Sequence, residues 1–136
     1  MCIHLWKWKQ VAHGAAGIGL AVPAVHQEER ALLFFVRFDV TQPDTFTNAD
    51  LIDTWRREAT AALGAIEAGA IKSIYKIAGQ RTVLCVIEVP SAEELDRALG
   101  GLPILREMGN GVKTQAHAVY EYTTYAEDLH AGVHGP

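Results

Sequence analysis

Residues 71–89 constrain the fold of this 136-residue chain more than any other stretch. Two runs rich in β-branched and aromatic residues, 71–77 and 81–89, flank a short break that contains Gly79. This pattern predicts an antiparallel hairpin, because glycine permits the tight turn between two such runs. Both faces of the second run are largely apolar, which predicts burial on both sides. A partner subunit is the simplest cover for the face that the helices of one chain leave open.

The segments around the hairpin predict two more strands and two helices. Residues 31–40 alternate with a period of two, and their wholly apolar face should meet the helices. A helix is predicted over residues 49–68, since apolar side chains recur there at helical spacing. A second helix should begin after Ser91, an N-cap with a capping box. Residues 102–105 are predicted to form an apolar bend, and residues 112–123 to form the last strand.

The predicted order of elements is strand, helix, strand, strand, helix, strand. This is the ferredoxin-like βαββαβ arrangement, an α+β fold in which a four-stranded antiparallel sheet carries two helices on one face. We expect the domain to occupy residues 31–124. Residues 1–30 are expected to form a flexible N-terminal extension, and residues 125–136 a mobile C-terminal tail.

Composition excludes several classes of function. The net charge is −4 and no block of Lys or Arg occurs, which argues against a nucleic-acid partner. No apolar run reaches the ~18 residues that span a membrane, and residues 11–25 resemble a signal peptide only faintly. Cys2 and Cys85 are the only two cysteines and do not form the framework of a disulfide-rich protein. We therefore expect a protein of the reducing cytoplasm. The histidine spacing matches no compact metal site, so we expect no metal.

Glu58 is the candidate catalytic residue. It lies at the border of the apolar stripe of the first predicted helix, nearly in line with Leu51 and Ala65. From there its carboxylate can turn into a cleft beside the sheet, where desolvation would raise its pKa and suit it to proton transfer. The alternative is a solvated acid on the flank of the helix, paired with Arg57 or Lys76, because structural ion pairs are common.

Several other side chains are candidates to bind a substrate. The cations among them could hold a substrate carboxylate or stabilise the charge of an enolate, and the tyrosine could orient the substrate. For Arg37 an ordinary ion pair is equally expected, because arginine pairs with acids as readily as with planar anions. The candidate substrate-binding residues are Phe35, Arg37, Trp55, Tyr75, Lys76 and Arg81.

Several short motifs occur in the order and at the separations found in one known family. They are Leu-Leu-Phe-Phe-Val-Arg at 32–37, Glu58 in the helix, Lys-Ile-Ala-Gly at 76–79, Glu-Leu at 94–95, and Leu-Pro at 102–103 with Met108 after it. On these residues the chain, from residue 32 to about residue 119, resembles the muconolactone isomerase family.

The resemblance implies a dimeric α/β barrel, in which two four-stranded sheets pack face to face, and larger rings of such dimers. It also implies cofactor-free proton transfer on an unsaturated lactone, with Glu58 as the general base and acid. Phe35 and Ser73 stand where the family tends to have histidines, and Gln-Arg-Thr-Val at 80–83 replaces a His-Tyr-Ala-Asn type of run. These departures leave open a different substrate or a lost activity.

Three hypotheses for the function follow. In the first, a cofactor-independent isomerase of aromatic catabolism uses Glu58 to take a proton from an activated carbon next to a carbonyl and to return it at the allylic position. In the second, a non-catalytic barrel binds a small hydrophobic ligand or stabilises a pathway enzyme. In the third, a cofactor-free oxygenase or cyclase acts on aromatic polyketides. All three predict a homo-oligomer, and the isomerase hypothesis also predicts a small-molecule substrate.

Overall fold

The structure of the protein, a computed structural model, describes residues 31–133. The expectations for residues 1–30, for Cys2 and for the end of the tail at 134–136 lie outside the described residues. The helices and strands, in chain order, are β1 (Leu32–Val40), α1 (Asn48–Glu67), β2 (Ile71–Lys76), β3 (Thr82–Val89), α2 (Ala92–Gly100), α3 (Pro103–Met108), β4 (Val112–Val119) and α4 (Tyr122–His130).

The four strands form one antiparallel sheet in the order β2-β3-β1-β4. Strand β1 pairs with β3 over eight residues, from Leu32 opposite Val89 to Asp39 opposite Thr82. The hairpin between β2 and β3 turns at Gly79, whose φ of 74° lies in the left-handed region that glycine adopts without strain. The predicted hairpin, the βαββαβ order and the antiparallel sheet with helices are thus confirmed.

The core lies between the sheet and the helices, and the alternation of β1 determines which of its side chains enter it. Val36, Phe38 and Val40 are buried and pack in one cluster with Leu51 of α1 and Leu95 of α2. We call this side the helix-covered face. The side chains that alternate with these along β1 point to the other side, which we call the open face of the sheet. All of them are partly exposed: Leu33, Phe35, Arg37 and Asp39.

Helix α1 positions the functional side chains, and its ends are defined by local chemistry. Thr47 caps it: its hydroxyl oxygen accepts a hydrogen bond from the Asp50 N–H at 3.1 Å, and the Asp50 carboxylate accepts one from the Thr47 N–H at 2.8 Å. This reciprocal capping satisfies two backbone donors that have no partner within the helix. After the helix, Gly69 has a φ of 81° and lets the chain reverse into β2.

The structure differs from the sequence prediction in two segments. The predicted bend at 102–105 is wrong, because a helical turn, α3, occupies most of it; Pro103 is tolerated at the first helical position, where its missing N–H costs nothing. Strand β4 ends at Val119, which lies opposite Leu33 of β1, rather than at residue 123. Helix α4 follows instead. Among the helices of residues 31–133, none is long and apolar enough to cross a membrane.

Candidate active site

A cavity of about 360 Å³ lies between α1 and the helix-covered face of the sheet. Helix α2, helix α3 and the connection between them contribute further lining residues. Pockets of about 300–1,000 Å³ are typical of small-molecule sites. Apart from Glu58 and Lys76, the residues that line the cavity are apolar and include Phe38, Ile74, Val83, Ile87, Leu99 and Leu102.

Glu58 is the acidic residue in this lining. Helix α1 brings it there, because Trp55 and Ala62, one turn before and one turn after it, line the same cavity. The Glu58 Oε2 atom accepts a hydrogen bond from the backbone N–H of Ile104, with 3.1 Å between the nitrogen and the oxygen. Within residues 31–133 this is the one hydrogen bond that the carboxylate makes. One oxygen is therefore held, while the other stays available to a ligand.

Burial changes the acidity of Glu58. Loss of solvent raises the pKa of its carboxyl group above the ordinary value, and the hydrogen bond from Ile104 offsets part of that rise. The alternative predicted from the sequence, an ion pair with Arg57 or Lys76, does not form among the described residues. Arg57 binds Glu107 and Asp53 instead. A carboxylate that is partly desolvated and has no cationic partner is a stronger base than a solvent-exposed one.

Cys85 lines the cavity on strand β3 and stays protonated at neutral pH. Burial raises the pKa of its thiol to about 11, and the negative charge of Glu58 adds to the rise. Its Sγ donates a weak hydrogen bond to the carbonyl oxygen of Val36 at 3.7 Å. The residue therefore packs as a small apolar side chain, in line with the sequence prediction. In the part of the chain from 31 to 133, no group of three His, Cys, Asp or Glu residues could hold a metal ion.

The structure brings three of the predicted site residues together at the cavity: Glu58, Trp55 and Lys76. Trp55 is half-buried and presents apolar surface next to Glu58. Lys76 is exposed, and its Nζ donates a hydrogen bond to the carbonyl oxygen of Ile77 at 2.9 Å. Lys76 therefore stands at the rim of the cavity, with its charge in solvent.

Phe35 and Arg37 lie on the open face, away from Glu58, because neighbours along a strand point to opposite sides of the sheet. Arg37 makes a bidentate ion pair with Asp39, with nitrogen–oxygen distances of 2.8 and 3.1 Å. The hydroxyl of Thr82 also donates to this carboxylate at 2.8 Å, and both contacts lower the pKa of Asp39, that of Arg37 most. Of the two interpretations of Arg37, the ion pair is the one formed.

Tyr75 and Arg81 do not line the cavity either. Tyr75 points to the open face and is 68% exposed. Arg81 is exposed in the β2–β3 turn, where its carbonyl oxygen accepts a hydrogen bond from the Val40 N–H at 2.9 Å. Of the three candidate cations Arg37, Lys76 and Arg81, Lys76 alone lines the cavity.

Helix α3 contributes to the site in a way that the sequence did not predict. Ile104 holds the Glu58 carboxylate through its backbone, and Leu102 lines the cavity. Glu107, four residues after Pro103, binds Arg57 of α1. Both of its carboxylate oxygens accept hydrogen bonds from the guanidinium group, one of them at 2.7 Å. The available signal was Leu-Pro at 102–103, because proline is favoured in the first turn of a helix.

Comparisons with known proteins agree with this architecture. The family described as muconolactone delta-isomerase matches residues 32–117, from the start of β1 to within β4, and this span includes Glu58 and every element that lines the cavity. A crystal structure of muconolactone isomerase has a similar fold, with a TM-score of 0.56 and 24% identity over 65% of this chain and 88% of that one. No curated protein matched the chain. The chain belongs to the muconolactone delta-isomerase family.

Proposed function

We propose that the protein is a cofactor-independent isomerase that moves the double bond of a small unsaturated lactone by proton transfer, with Glu58 as the base and the acid. The observation that carries the proposal is the placement of one desolvated carboxylate, with no cationic partner among the described residues, in the wall of an apolar cavity of about 360 Å³. Membership of a family described by a lactone isomerase supports the type of reaction.

The reaction needs a single proton to change its carbon. The carboxylate of Glu58 removes a proton from one end of the C=C–C unit next to the lactone carbonyl, and the electrons of the broken C–H bond pass into a dienolate. The carboxylic acid so formed returns the proton to the other end, which re-forms the carbonyl and leaves the double bond shifted by one position. No oxidant or second reactant is consumed. The raised pKa of Glu58 suits both steps. It makes the carboxylate a stronger base, and it lets the carboxylic acid keep its proton closer to neutral pH than an ordinary glutamic acid does.

The neighbours of Glu58 support this role. The N–H of Ile104 holds one carboxylate oxygen, which limits the orientations that the other can take. The apolar walls exclude water from a reactive dienolate and strengthen electrostatic contacts within the cavity. Lys76 stands at the rim with its ammonium group in solvent, so it would give only weak, water-screened support to the negative charge that develops on the carbonyl oxygen.

A homodimer is part of the same proposal. The open face carries the apolar side chains of Leu33, Phe35, Leu84 and Val86, all only partly buried, and Tyr75, which is 68% exposed. A second copy packed on this face would bury them, as expected for sheets that pair in a barrel. We also place the protein in the cytoplasm, because the buried free thiol of Cys85 is typical of a reducing compartment.

Proton NMR in D₂O tests the proposed reaction. The full-length protein is mixed with muconolactone and related butenolides, and deuterium entry at the carbon next to the carbonyl is followed over time. We expect exchange that depends on the protein and is lost in Glu58→Gln. An unchanged exchange rate in Glu58→Gln would show that Glu58 is not the base. Binding of butenolides without exchange would favour a second candidate function, the capture of a small apolar ligand, which the apolar lining of the cavity supports.

A further inference from the structure

The cavity walls match an uncharged ligand over almost all of their surface. The side chains of Ala62, Ile74 and Leu99, for example, are wholly apolar, and they come from three separate elements. A polar group that enters such a site loses its hydration and gains no hydrogen bond in return. The complementary ligand is therefore apolar apart from the groups that meet Glu58.

The charge of Glu58 acts against a second negative charge in the same space. As a base it must be ionised when the substrate binds, and solvent is already partly excluded from it. A substrate carboxylate placed inside the cavity would lose its hydration and would also be repelled by Glu58. Each effect alone weakens the binding of an acidic ligand, and in one cavity they add.

In the part of the chain that the structure describes, the cations near the cavity do not compensate for this repulsion. Lys76 lines the rim, but it is exposed, and its ammonium group is bonded to the carbonyl oxygen of Ile77. Arg37 is on the open face and is bound to Asp39. An exposed ammonium interacts weakly with a carboxylate, because water screens the pair.

From these contacts we propose that the substrates are uncharged lactones whose ring bears an apolar substituent, and that a carboxylate on the substituent is disfavoured. This inference rests on the proposed isomerase function and concerns the substrate of the same site. The ring would meet Glu58, while the apolar substituent would extend along the wall formed by α1 and the sheet.

The matched pair of muconolactone and its methyl ester tests the inference. The two share the ring and the reacting carbons, and they differ in the charge of the side chain. Initial rates of deuterium entry, corrected for the rate without protein, give kcat/KM for each. We expect the ester to exceed the acid by about tenfold or more. In a series of butenolides with straight alkyl substituents, each added methylene should raise kcat/KM by about fourfold until the cavity is full, which corresponds to ~0.8 kcal/mol per methylene.

The possible results separate this inference from the proposed function. A ratio of ester to acid near or below one overturns the inference and leaves the isomerase proposal standing. A preference for the acid that Lys76→Met removes would further identify Lys76 as its anchor. Failure of every lactone to exchange with a folded protein overturns the isomerase proposal, and the inference with it. Glu67→Gln, at the exposed end of α1 and outside the cavity, is the control for charge removal on that helix.

Discussion

Glu58 on α1 accepts a hydrogen bond from the backbone N–H of Ile104 on α3, 46 residues further along the chain, at 3.1 Å. The residue next to it in sequence, Arg57, binds Glu107 of the same short helix. Two adjacent residues thus attach α3 to α1, one in the cavity and one on the solvent side. The orientation of the carboxylate and the position of α3 consequently depend on each other.

Replacing Glu58 with Gln should reduce lactone exchange by about 10²–10⁴-fold, the usual contribution of one positioned acid–base group. The amide oxygen of Gln can still accept the hydrogen bond from Ile104, so the fold should be kept. The measurement is the NMR exchange rate in D₂O, with circular dichroism to verify folding. Glu67→Gln should exchange as the natural protein does. A loss of the same size in both variants would argue against a specific role for Glu58.

The raised pKa of Glu58 also makes stability depend on pH. Because its pKa is higher in the folded protein than in the unfolded chain, its contribution to the free energy of unfolding is fully present below the ordinary carboxyl pKa of 4.5 and is lost as the pH rises through the folded value. Glu58→Gln removes this dependence. The variant should therefore gain stability relative to the natural protein between about pH 4 and neutral pH.

Urea unfolding of both proteins at several pH values measures that difference. Carboxyl groups whose pKa is lowered, such as those of Asp39 and Asp50, act in the opposite direction. They are present in both proteins, so their effect cancels in the comparison. A difference in the free energy of unfolding that stays constant with pH, or that moves toward the natural protein, would show that the Glu58 carboxyl is not desolvated.

The sequence predicted the features that depend on local pattern. The alternation along β1 placed Phe38 and Arg37 on opposite faces of the sheet. The N-cap predicted at Ser91 correctly marked the start of α2. Periodicity could not reveal α3, because six residues complete fewer than two turns. The contact between Glu58 and Ile104 joins distant parts of the chain, so no local pattern encodes it.

The sequence could not show which of the candidate cations border the cavity, for a related reason. Alternation shows that side chains lie on two faces of a sheet, but it does not show which face will border a cavity. Lys76 proved to be on the cavity side, whereas Arg37 is on the open face. Placing a cavity requires the packing of α1 against the sheet, which is a property of the assembled fold.

The ion pair between Arg57 and Glu107 should influence catalysis through the position of α3. Glu107→Gln and Arg57→Gln should each lower the exchange rate by about two- to tenfold, a modest effect because the pair is solvent-exposed. The double substitution should lower the rate no further than either single one, since each already breaks the contact. Arg97→Gln, which breaks an exposed ion pair within α2, is the matched control and should leave the rate unchanged. Additive losses in the double variant would show that the two residues act independently.

Phe35 on the open face should be required for the proposed homodimer. It is half-buried in the single chain, where it lies opposite Val86 and His117 on the neighbouring strands. In Phe35→Lys the ammonium group reaches solvent in a monomer, whereas in a dimer it would be buried among apolar side chains without a partner, at a high cost in free energy. Sedimentation equilibrium should therefore show dimers or larger assemblies for the natural protein, and a dissociation constant at least about tenfold higher for the variant. Thr60→Lys adds the same charge to the exposed side of α1 and should not change the assembly. A natural protein that sediments as a monomer, or a variant that associates as tightly as the natural protein, would exclude the open face as the interface.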